Sequence, residues 1–376
     1  MLEELLGLRT SQIEVITLGM LVAVTCALVG VFLTLRRMAM MGDAISHTVF
    51  FGIVAAFLLV RNIDSPWLLV GATAVGVFTV WLVELLTQTQ RVREDTAIGV
   101  VFPFLFSLGV ILVSMFARNA HIDTHVVLLG EPALAPFDRL ELFGIDLPRT
   151  IWVMGAILCI NLVCISLFYK ELKLATFDAG LAVALGFSAP LIHYGLMTLV
   201  SLTAVGAFDA VGAILVIAFL VGPPVAAYLL TDRLLPMIGI SMLIGAISAV
   251  SGYFVARALD STISGAMALM VGVWFTLVFL IAPERGVLAV LERRRHQKWE
   301  FAQQVLAMHL LNHPADALEE RHIDHMYRHL RWEPAFAQAV LRRAQKRGLV
   351  ALMNEYLELT PRGQQLAHQL LARVGA

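Results

Sequence analysis

Apolar stretches long enough to cross a lipid bilayer fill most of the first 286 residues. A spanning helix needs about 20 apolar residues. Only helices and closed barrels satisfy their backbone hydrogen bonds inside a membrane. These stretches are too long and alternate too little for barrel strands, so they predict helices. The predicted spans are 13–35, 43–61, 66–86, 97–117, 150–169, 192–208, 210–230, 235–257 and 262–282.

The composition supports a membrane protein. Hydrophobic residues make up 59% of the chain and charged residues 15%, and the mean hydropathy is +0.82. Soluble domains average about 45–50% apolar and about 25% charged residues, so an ordinary cytosolic enzyme is excluded, and so is intrinsic disorder. The segment between 192 and 230 is compatible with a tight turn, a re-entrant break or one kinked helix, so the count is eight or nine crossings. Cys26, Cys159 and Cys164 lie in apolar runs, which favours packing over disulfides or a thiolate cluster.

Lysine and arginine are distributed unequally between the two sets of loops, and the richer set is expected in the cytoplasm. This places the N-terminus outside and the C-terminal tail inside. Glu3 and Glu4 precede the first apolar run without a basic segment, so the start is interpreted as retained sequence and not as a signal peptide. The richer set contains Arg36, Arg37, Arg91, Arg93, Lys170, Lys173, Arg233, Arg285 and Arg293 to Arg295, and the other Arg9, Arg61, Arg118, Arg139, Arg149 and Arg257.

The composition changes near residue 285, which predicts a membrane domain over 1–286 and a cytoplasmic domain over 287–376. The tail pattern predicts three helices, a hairpin around Met353-Asn354 and a last helix that begins near Pro361. This order resembles the winged-helix domain of metal-dependent repressors. The predicted fold class is therefore an all-α polytopic membrane domain followed by a small α+β winged-helix-like domain.

Asp43 and His47 are the strongest candidates for chemistry in the membrane domain. Four residues apart, they share one face of a helix. A carboxylate beside a neutral imidazole suits Mn²⁺, Fe²⁺ or Zn²⁺, and ionisable groups inside a membrane point to function. The alternative is that Asp43 caps the second helix, with Gly42 marking the break, while His47 packs in the bundle.

Three further groups of polar residues are weaker candidates. Asp209 either lines the same pathway or, as we prefer, caps the following helix. Glu84 is expected to snorkel or to pair with a basic loop residue. The alternating residues of HIDTH could collect a cation at the outer mouth, although a solvated loop or a docking surface is the simpler interpretation. These alternating residues are His121, Asp123 and His125.

The segment 170–194 is long for a connector between two spans and contains a short helical pattern closed by Gly186. A rigid helix that projects from the membrane could bind a partner, and an interfacial helix on lipid headgroups is the alternative. The chain has no G-x-x-x-x-G-K-[ST] motif, so ATP-driven transport requires another polypeptide. The candidate docking residues are Phe177, Asp178, Ala179, Gly180, Leu185 and Gly186.

The tail has two polar patterns of its own. One stripe of a predicted helix carries His322, His325 and His329. This stripe could bind a regulatory metal, but a solvent-exposed helix face is the simpler interpretation. Arg342 and Arg343 begin a basic run that could face nucleic acid. Because the tail is tethered to a membrane, anionic lipid or an acidic partner is at least as good an interpretation.

Several segments together resemble the membrane permease of ABC-type manganese, zinc and iron uptake systems. The family pattern G-D-x-x-S-H occurs as Gly42, Asp43, Ser46 and His47. The resemblance covers nearly all of 13–286 and rests on LRRMAMMGDAISHTVFFG, REDTAIGVVFPFLFSLGVIL, HIDTHVVLLGEPAL, ALGFSAPLIHYGLMTLVSLTAVGAFDAVGAILVIAFLVGPPVAAYLLTDRL and GVWFTLVFLIAPERG.

The resemblance implies a type II ABC importer permease in a bacterial cytoplasmic membrane. Asp43 and His47 would be the metal ligands, and 171–190 would dock into a separate ATPase chain. A second permease subunit and an extracytoplasmic metal-binding protein would complete the system. The cargo would be a transported, not a resident, Mn²⁺, Zn²⁺ or Fe²⁺ ion. HIDTHVVLLGE is closer to the manganese and iron branch.

Two rival classes make different predictions. A secondary transporter driven by an ion gradient would need no ATPase and would show related halves with broken helices; no convincing internal repeat is present. A membrane-anchored regulator would depend on 296–376 and not on Asp43. The resemblance favours the importer, with no enzymatic activity on this chain and no nucleic-acid partner.

Overall fold

A computed structural model describes residues 9–61, 65–116, 132–142, 144–312, 322, 329–353 and 356–374. The chain divides into two compact units, Met1–Gly286 and Val287–Ala376.

The first unit is a bundle of long apolar helices. Among the described residues, nine helices have the length and composition needed to cross a membrane, as the sequence predicts. The nine helices are α1 Thr10–Leu35, α2 Ala39–Val60, α3 Trp67–Thr87, α4 Glu94–Phe116, α5 Arg149–Leu167, α8 Ala189–Val211, α9 Ala213–Leu230, α10 Leu234–Leu259 and α11 Ile263–Ile281, and two short helices, α6 Tyr169–Phe177 and α7 Ala179–Ala184, lie between α5 and α8.

The break between α8 and α9 falls on a single residue, Gly212. Its φ of 83° belongs to the region that favours glycine. Helix α8 therefore ends at Val211, and α9 continues from Ala213 as a separate element. The predicted break near residue 209 is confirmed and lies three residues further along the chain.

Helix α1 is at the centre of the bundle and packs against α5, α8, α9 and α10. More of its apolar window is buried than in any other candidate span of the described chain. Gly30 allows α1 and α9 to approach closely, because a Cβ there would lie 2.2 Å from the carbonyl oxygen of Leu220. Small residues at such crossings are typical of helix packing in membranes.

Helix α2 packs against α3, α4, α8 and α9. At Gly52 a Cβ would lie 2.6 Å from the Cα of Ala72 on α3, so this crossing is also close. A buried hydrogen bond from Thr79 to Thr48 joins the same two helices at 2.9 Å. The position of α2 is thus fixed by both backbone approach and polar contacts.

Many large apolar side chains of the spans point outward, as expected for helices that face lipid chains. They include Val70, Phe104, Ile111, Val163, Ile214, Leu243 and Leu269. Of the three cysteines, all of them free, only Cys26 is buried, and Cys159 is exposed. The expected packing role of the cysteines is therefore wrong for Cys159.

A short antiparallel hairpin that the sequence did not predict precedes α5. Strands β1 (Arg139–Leu142) and β2 (Ile145–Pro148) pair with Arg139 opposite Pro148. The Arg139 guanidinium contacts the Asp146 carboxylate at 2.7 Å and the Glu14 carboxylate of α1 at 3.2 Å. The hairpin is thereby attached to the central helix.

The second unit is a small α+β fold. Helix α12 (Val287–Asn312), helix α13 (Pro334–Lys346), the hairpin of β3 (Val350–Met353) and β4 (Tyr356–Leu359), and helix α14 (Pro361–Val374) follow one another in the described residues. Its core contains Ala302, Leu306, Leu310, Ala337, Val340, Leu341, Ala344, Leu349, Val350 and Leu357. The predicted hairpin and last helix are both present.

The predicted second tail helix lies mostly outside the described residues. At His322 the helix prediction is wrong, because this residue forms an isolated antiparallel bridge with Tyr356. The backbone there pairs with β4 instead of continuing a helical stripe. The assignment of the unit as a winged helix stays a prediction.

Candidate metal centre

Asp43 and His47 lie one turn apart near the start of α2. The helix begins at Ala39, and its N-cap is Met38, which makes no side-chain capping bond. Asp43 is therefore inside the helix, and the alternative of Asp43 as a cap at a break at Gly42 is wrong. The His47 Nε2 atom lies 3.3 Å from the Asp43 Oδ1 atom. The pair presents one oxygen and one nitrogen to the same point, as the four-residue spacing predicts.

The opposite face of α2 is packed into the bundle. Ser46 is fully buried and donates its hydroxyl hydrogen to the Gly42 carbonyl at 2.8 Å. Gly42 faces Leu220 of α9 and Leu33 of α1. The glycine and the serine of the G-D-x-x-S-H pattern therefore pack inside the bundle, while the acid and the imidazole remain partly exposed.

The pair itself is half-buried. The side chains of Asp43 and His47 are 32% and 29% exposed. The imidazole stacks on the ring of Phe102 from α4, with centroids 5.4 Å apart and ring planes at 28°. Within the described residues no third histidine, cysteine, aspartate or glutamate joins the pair. A cation held here would need ligands from water or from another chain, and the exposed fraction leaves room for them.

The other predicted pathway residues do not join this site in the part of the chain that the structure describes. Asp209 is exposed near the end of α8. The expected capping role of Asp209 is wrong, because the N-cap of α9 is Gly212 and makes no side-chain capping bond. His121, Asp123 and His125 lie outside the described residues.

The segment between α5 and α8 folds as two short helices joined at Asp178. The Asp178 side chain accepts a hydrogen bond from the Leu181 backbone at 2.9 Å and so caps α7. The helix ends before Gly186, whose φ is 87°. The predicted short helix closed by Gly186 is therefore present as Ala179–Ala184, and Phe177 belongs to the preceding helix because the chain breaks at Asp178. Large apolar side chains on the segment point outward, namely Phe177, Leu181, Val183 and Leu185.

A polar cluster that sequence reasoning missed lies beside this segment. Glu84 of α3 contacts His193 of α8, with 2.6 Å between Oε1 and Nε2, and it accepts a hydrogen bond from the Tyr194 hydroxyl. Arg36 faces His193 Nδ1 at 3.3 Å and donates to the Thr176 hydroxyl at 3.2 Å. Glu84 therefore pairs with two residues of a neighbouring span and not with a basic loop residue.

Arg36 is the member of this cluster that lies outside the spans, in the turn between α1 and α2. Burial lowers the pKa of Arg36 below its ordinary value, because desolvation penalises the charged guanidinium. Arginine nevertheless stays protonated in proteins. Its partly buried guanidinium therefore stays a cation, and its donors face Thr176 and His193. A basic residue at this position signals the end of a span, but nothing in the sequence identifies its partners.

In the second unit, the predicted basic residues Arg342 and Arg343 differ in their contacts. Arg343 lies over the Trp299 ring, 4.0 Å from its centroid, and both Arg343 and its neighbour Arg342 are exposed. His322 packs edge-on against Tyr356, and the His329 ring lies 5.1 Å from the His309 ring. His325 is outside the described residues. The predicted histidine stripe is thus not one continuous helical face.

Among the described residues, nine helices of bilayer length and a half-open acid–imidazole pair define a polytopic membrane protein of the transporter class. The profile of the ABC 3 transport family matches residues 11–283. The chain belongs to this family, and it is a multi-pass membrane permease of an ABC transport system.

Curated relatives support the same placement. The zinc transport system membrane protein TroD of Treponema pallidum (strain Nichols) is 47% identical over 362 residues, which is 95% of this chain and 98% of that protein. The manganese transport system membrane protein MntD of Bacillus subtilis (strain 168) is 50% identical over 275 residues, which is 73% of this chain and 93% of that protein. The similarity to TroD thus extends into the second unit.

A solved structure shows the same architecture. PsaBC from Streptococcus pneumoniae in complex with Fab matches with a TM-score of 0.65 and 29% identity, over 77% of this chain and 99% of that chain. The polytopic fold predicted from the sequence is confirmed.

Proposed function

We propose that this chain is the permease subunit of an ATP-driven importer that moves a divalent transition metal across a bacterial cytoplasmic membrane. The observation that carries the proposal is the acid–imidazole pair of Asp43 and His47, 3.3 Å apart on α2 in a chain of the ABC 3 transport family. Manganese is the first candidate for the cargo and zinc the second, since relatives are named for both metals. Iron rests on the sequence resemblance alone.

The chemistry of the pair suits a transported ion better than a resident one. Carboxylate oxygen and imidazole nitrogen bind Mn²⁺, Zn²⁺ and Fe²⁺. Two protein ligands on a half-open surface leave coordination positions for water and for groups of a second permease subunit. A site that completes its coordination with exchangeable ligands holds the ion long enough to select it and still releases it.

The two short helices between α5 and α8 fit a docking role for a separate ATPase chain. Phe177, Leu181, Val183 and Leu185 expose between 46% and 60% of their surface on a segment only a few turns long. The Asp178 cap and the Gly186 turn fix its ends. A short helical segment with exposed apolar side chains and defined ends can insert into a groove of a partner protein.

In this proposal the segment 171–190 and the second unit both lie in the cytoplasm, in keeping with the distribution of Lys and Arg. ATP-driven closure of the ATPase chains moves the docked segment and tilts the helices. The ion enters from an extracytoplasmic binding protein and is held briefly by Asp43 and His47. Resetting of the helices releases it inward.

Reconstituted transport tests the proposal. The chain is placed in proteoliposomes with its candidate ATPase, partner permease and binding protein, and uptake of Mn²⁺, Zn²⁺ and Fe²⁺ is measured in competition. Asp43→Asn and His47→Gln preserve size, so both are expected to insert normally and to lose uptake by about 100-fold or more, since even second-shell changes at metal sites cost 10–100-fold.

Met40→Ala is the matched control, because Met40 is exposed on the same turn of α2 and offers no oxygen or nitrogen ligand. This variant is expected to retain uptake. Normal metal accumulation by both Asp43→Asn and His47→Gln would refute the proposed function. ATP-independent uptake driven by an ion gradient would instead support a secondary transporter.

A further inference from the structure

The polar cluster around Arg36 joins four separate parts of the chain. Arg36 lies in the turn between α1 and α2, Glu84 on α3, Thr176 on α6, and His193 and Tyr194 on α8. Two contacts made by Arg36 are central: Nε donates to Thr176 Oγ1 at 3.2 Å, and Nη1 lies 3.3 Å from His193 Nδ1. Here Arg36, Thr176 and His193 together are named the Arg36 clamp.

The contact with Arg36 favours one tautomer of a neutral His193 ring. A guanidinium has donors only, so the His193 Nδ1 atom facing Arg36 must be the acceptor. The imidazole proton then lies on Nε2, which is 2.6 Å from the Glu84 carboxylate. The other Glu84 oxygen accepts from Tyr194. These polar contacts link the α1–α2 turn, α8 and α3.

The same protonation argues against a second metal site at Glu84 and His193, although the two repeat the acid and imidazole of the metal pair. A metal on Nε2 would require the proton on Nδ1, where it would face the Arg36 donor. The described residues offer no third ligand there. The contacts of the cluster join the α1–α2 turn, α3, α6 and α8.

The clamp contacts the chain on both sides of the exposed apolar residues of the proposed docking segment, Phe177 to Leu185. Thr176 immediately precedes Phe177, the first of its exposed apolar residues, and His193 follows the segment in the first turns of α8. Arg36 thus contacts the chain just before these exposed residues, at Thr176, and again after them, at His193. Met38 and Ala39 come two and three residues after Arg36, and Ala39 is the first residue of the helix that carries Asp43.

We propose that Arg36 is a positioning residue that transmits movement of the docked segment to the start of the metal-bearing helix α2. This inference rests on the proposed function. The path is short: from the exposed segment through Thr176 and His193 to Arg36, and along seven residues of backbone to Asp43. Without the clamp, the segment could move with the ATPase while α2 stayed in place.

The test is the number of metal ions transported per ATP hydrolysed in proteoliposomes that contain the full transporter. Arg36→Gln removes the clamp and is expected to lower this ratio by at least about fivefold, the lower end of typical coupling between sites. ATP hydrolysis and association of the ATPase are expected to persist. Equilibrium metal binding is expected to stay unchanged, because Asp43 and His47 are intact.

Arg37→Gln is the matched control. Arg37 is the next residue, is exposed and carries the same charge, so its removal is expected to leave the ratio unchanged. Thr176→Val removes only the hydroxyl acceptor and is expected to lower the ratio in the same direction by a smaller factor. Arg36→Lys keeps the charge but cannot reach both partners, and an intermediate ratio is expected.

A wild-type ratio in both Arg36→Gln and Thr176→Val would overturn the inference. Equal loss of metal uptake and of ATP hydrolysis in these variants would overturn it as well, because that result means impaired assembly. Asp43→Asn and His47→Gln distinguish the two proposals. If both transport metal normally, the proposed function fails. If both are inactive while Arg36→Gln and Thr176→Val are fully coupled, only the clamp inference fails.

Discussion

The ring of His47 stacks on the ring of Phe102, which reaches it from a different helix. The contact fixes one face of the imidazole while its Nε2 atom points to Asp43. Preorganisation of this kind reduces the entropy that a ligand must lose when it binds an ion. Phe102 is therefore part of the proposed metal site although it offers no ligand atom.

Replacing Phe102 is the first test of this arrangement. In Phe102→Ala the His47 ring loses its packing surface, and equilibrium binding of Mn²⁺ to the purified transporter is expected to weaken by about tenfold, as supporting residues of metal sites typically show. Phe104→Ala, an exposed phenylalanine on the same helix, is the control and is expected to bind normally. Equal affinities of the two variants would show that the stacking has no role.

The crossing of α1 and α9 at Gly30 makes a prediction about stability. A Cβ at Gly30 would lie 2.2 Å from the Leu220 carbonyl, so Gly30→Ala forces the helices apart and is expected to destabilise the bundle by about 1–3 kcal/mol. Gly239→Ala is the control, since no atom lies within 4 Å of its Cβ and alanine favours the helix. Thermal unfolding in detergent gives the midpoint of each variant. Equal midpoints would contradict the close approach of α1 and α9.

The ion pair between Arg139 and Glu14 makes a third prediction. Glu14 is 7% exposed, so Arg139→Gln leaves a buried carboxylate without its partner and is expected to lower the unfolding midpoint. Adding Glu14→Gln removes the buried carboxylate charge. The double variant is therefore expected to have a higher unfolding midpoint than Arg139→Gln alone. If the two effects simply add, the pair makes no specific contribution.

The sequence predicted the bundle well because its signals are local. Nine runs of apolar residues specify nine helices, and the four-residue spacing of Asp43 and His47 specifies their common face. The break between α8 and α9 was predicted near its observed position at Gly212.

The contacts missed by sequence reasoning join residues that are distant along the chain. Arg36 meets His193 at a separation of 157 residues, and Arg139 meets Glu14 at a separation of 125. Single residues such as Glu84 have several chemically reasonable partners, and only the fold selects among them. His322 shows the reverse case: local periodicity favours a helix, but pairing with Tyr356 in the hairpin determines its backbone.

The second unit offers a prediction on its basic residues. Arg343 lies over the Trp299 ring, so Arg343→Ala is expected to destabilise α13 locally by about 1 kcal/mol. Arg342→Ala, next to it and exposed, is expected to leave α13 unchanged. Hydrogen exchange of the amides of 334–346 in the full-length protein measures the local stability of α13 in both variants. Equal protection in the two variants would contradict a structural role of Arg343.

The most direct test of the metal site is pulsed electron paramagnetic resonance of Mn²⁺ bound to the full transporter. The wild type is expected to show hyperfine coupling to an imidazole nitrogen, and His47→Gln is expected to lose that coupling. A nitrogen signal that persists in His47→Gln, or bound Mn²⁺ without any nitrogen coupling in the wild type, would contradict coordination by Asp43 and His47.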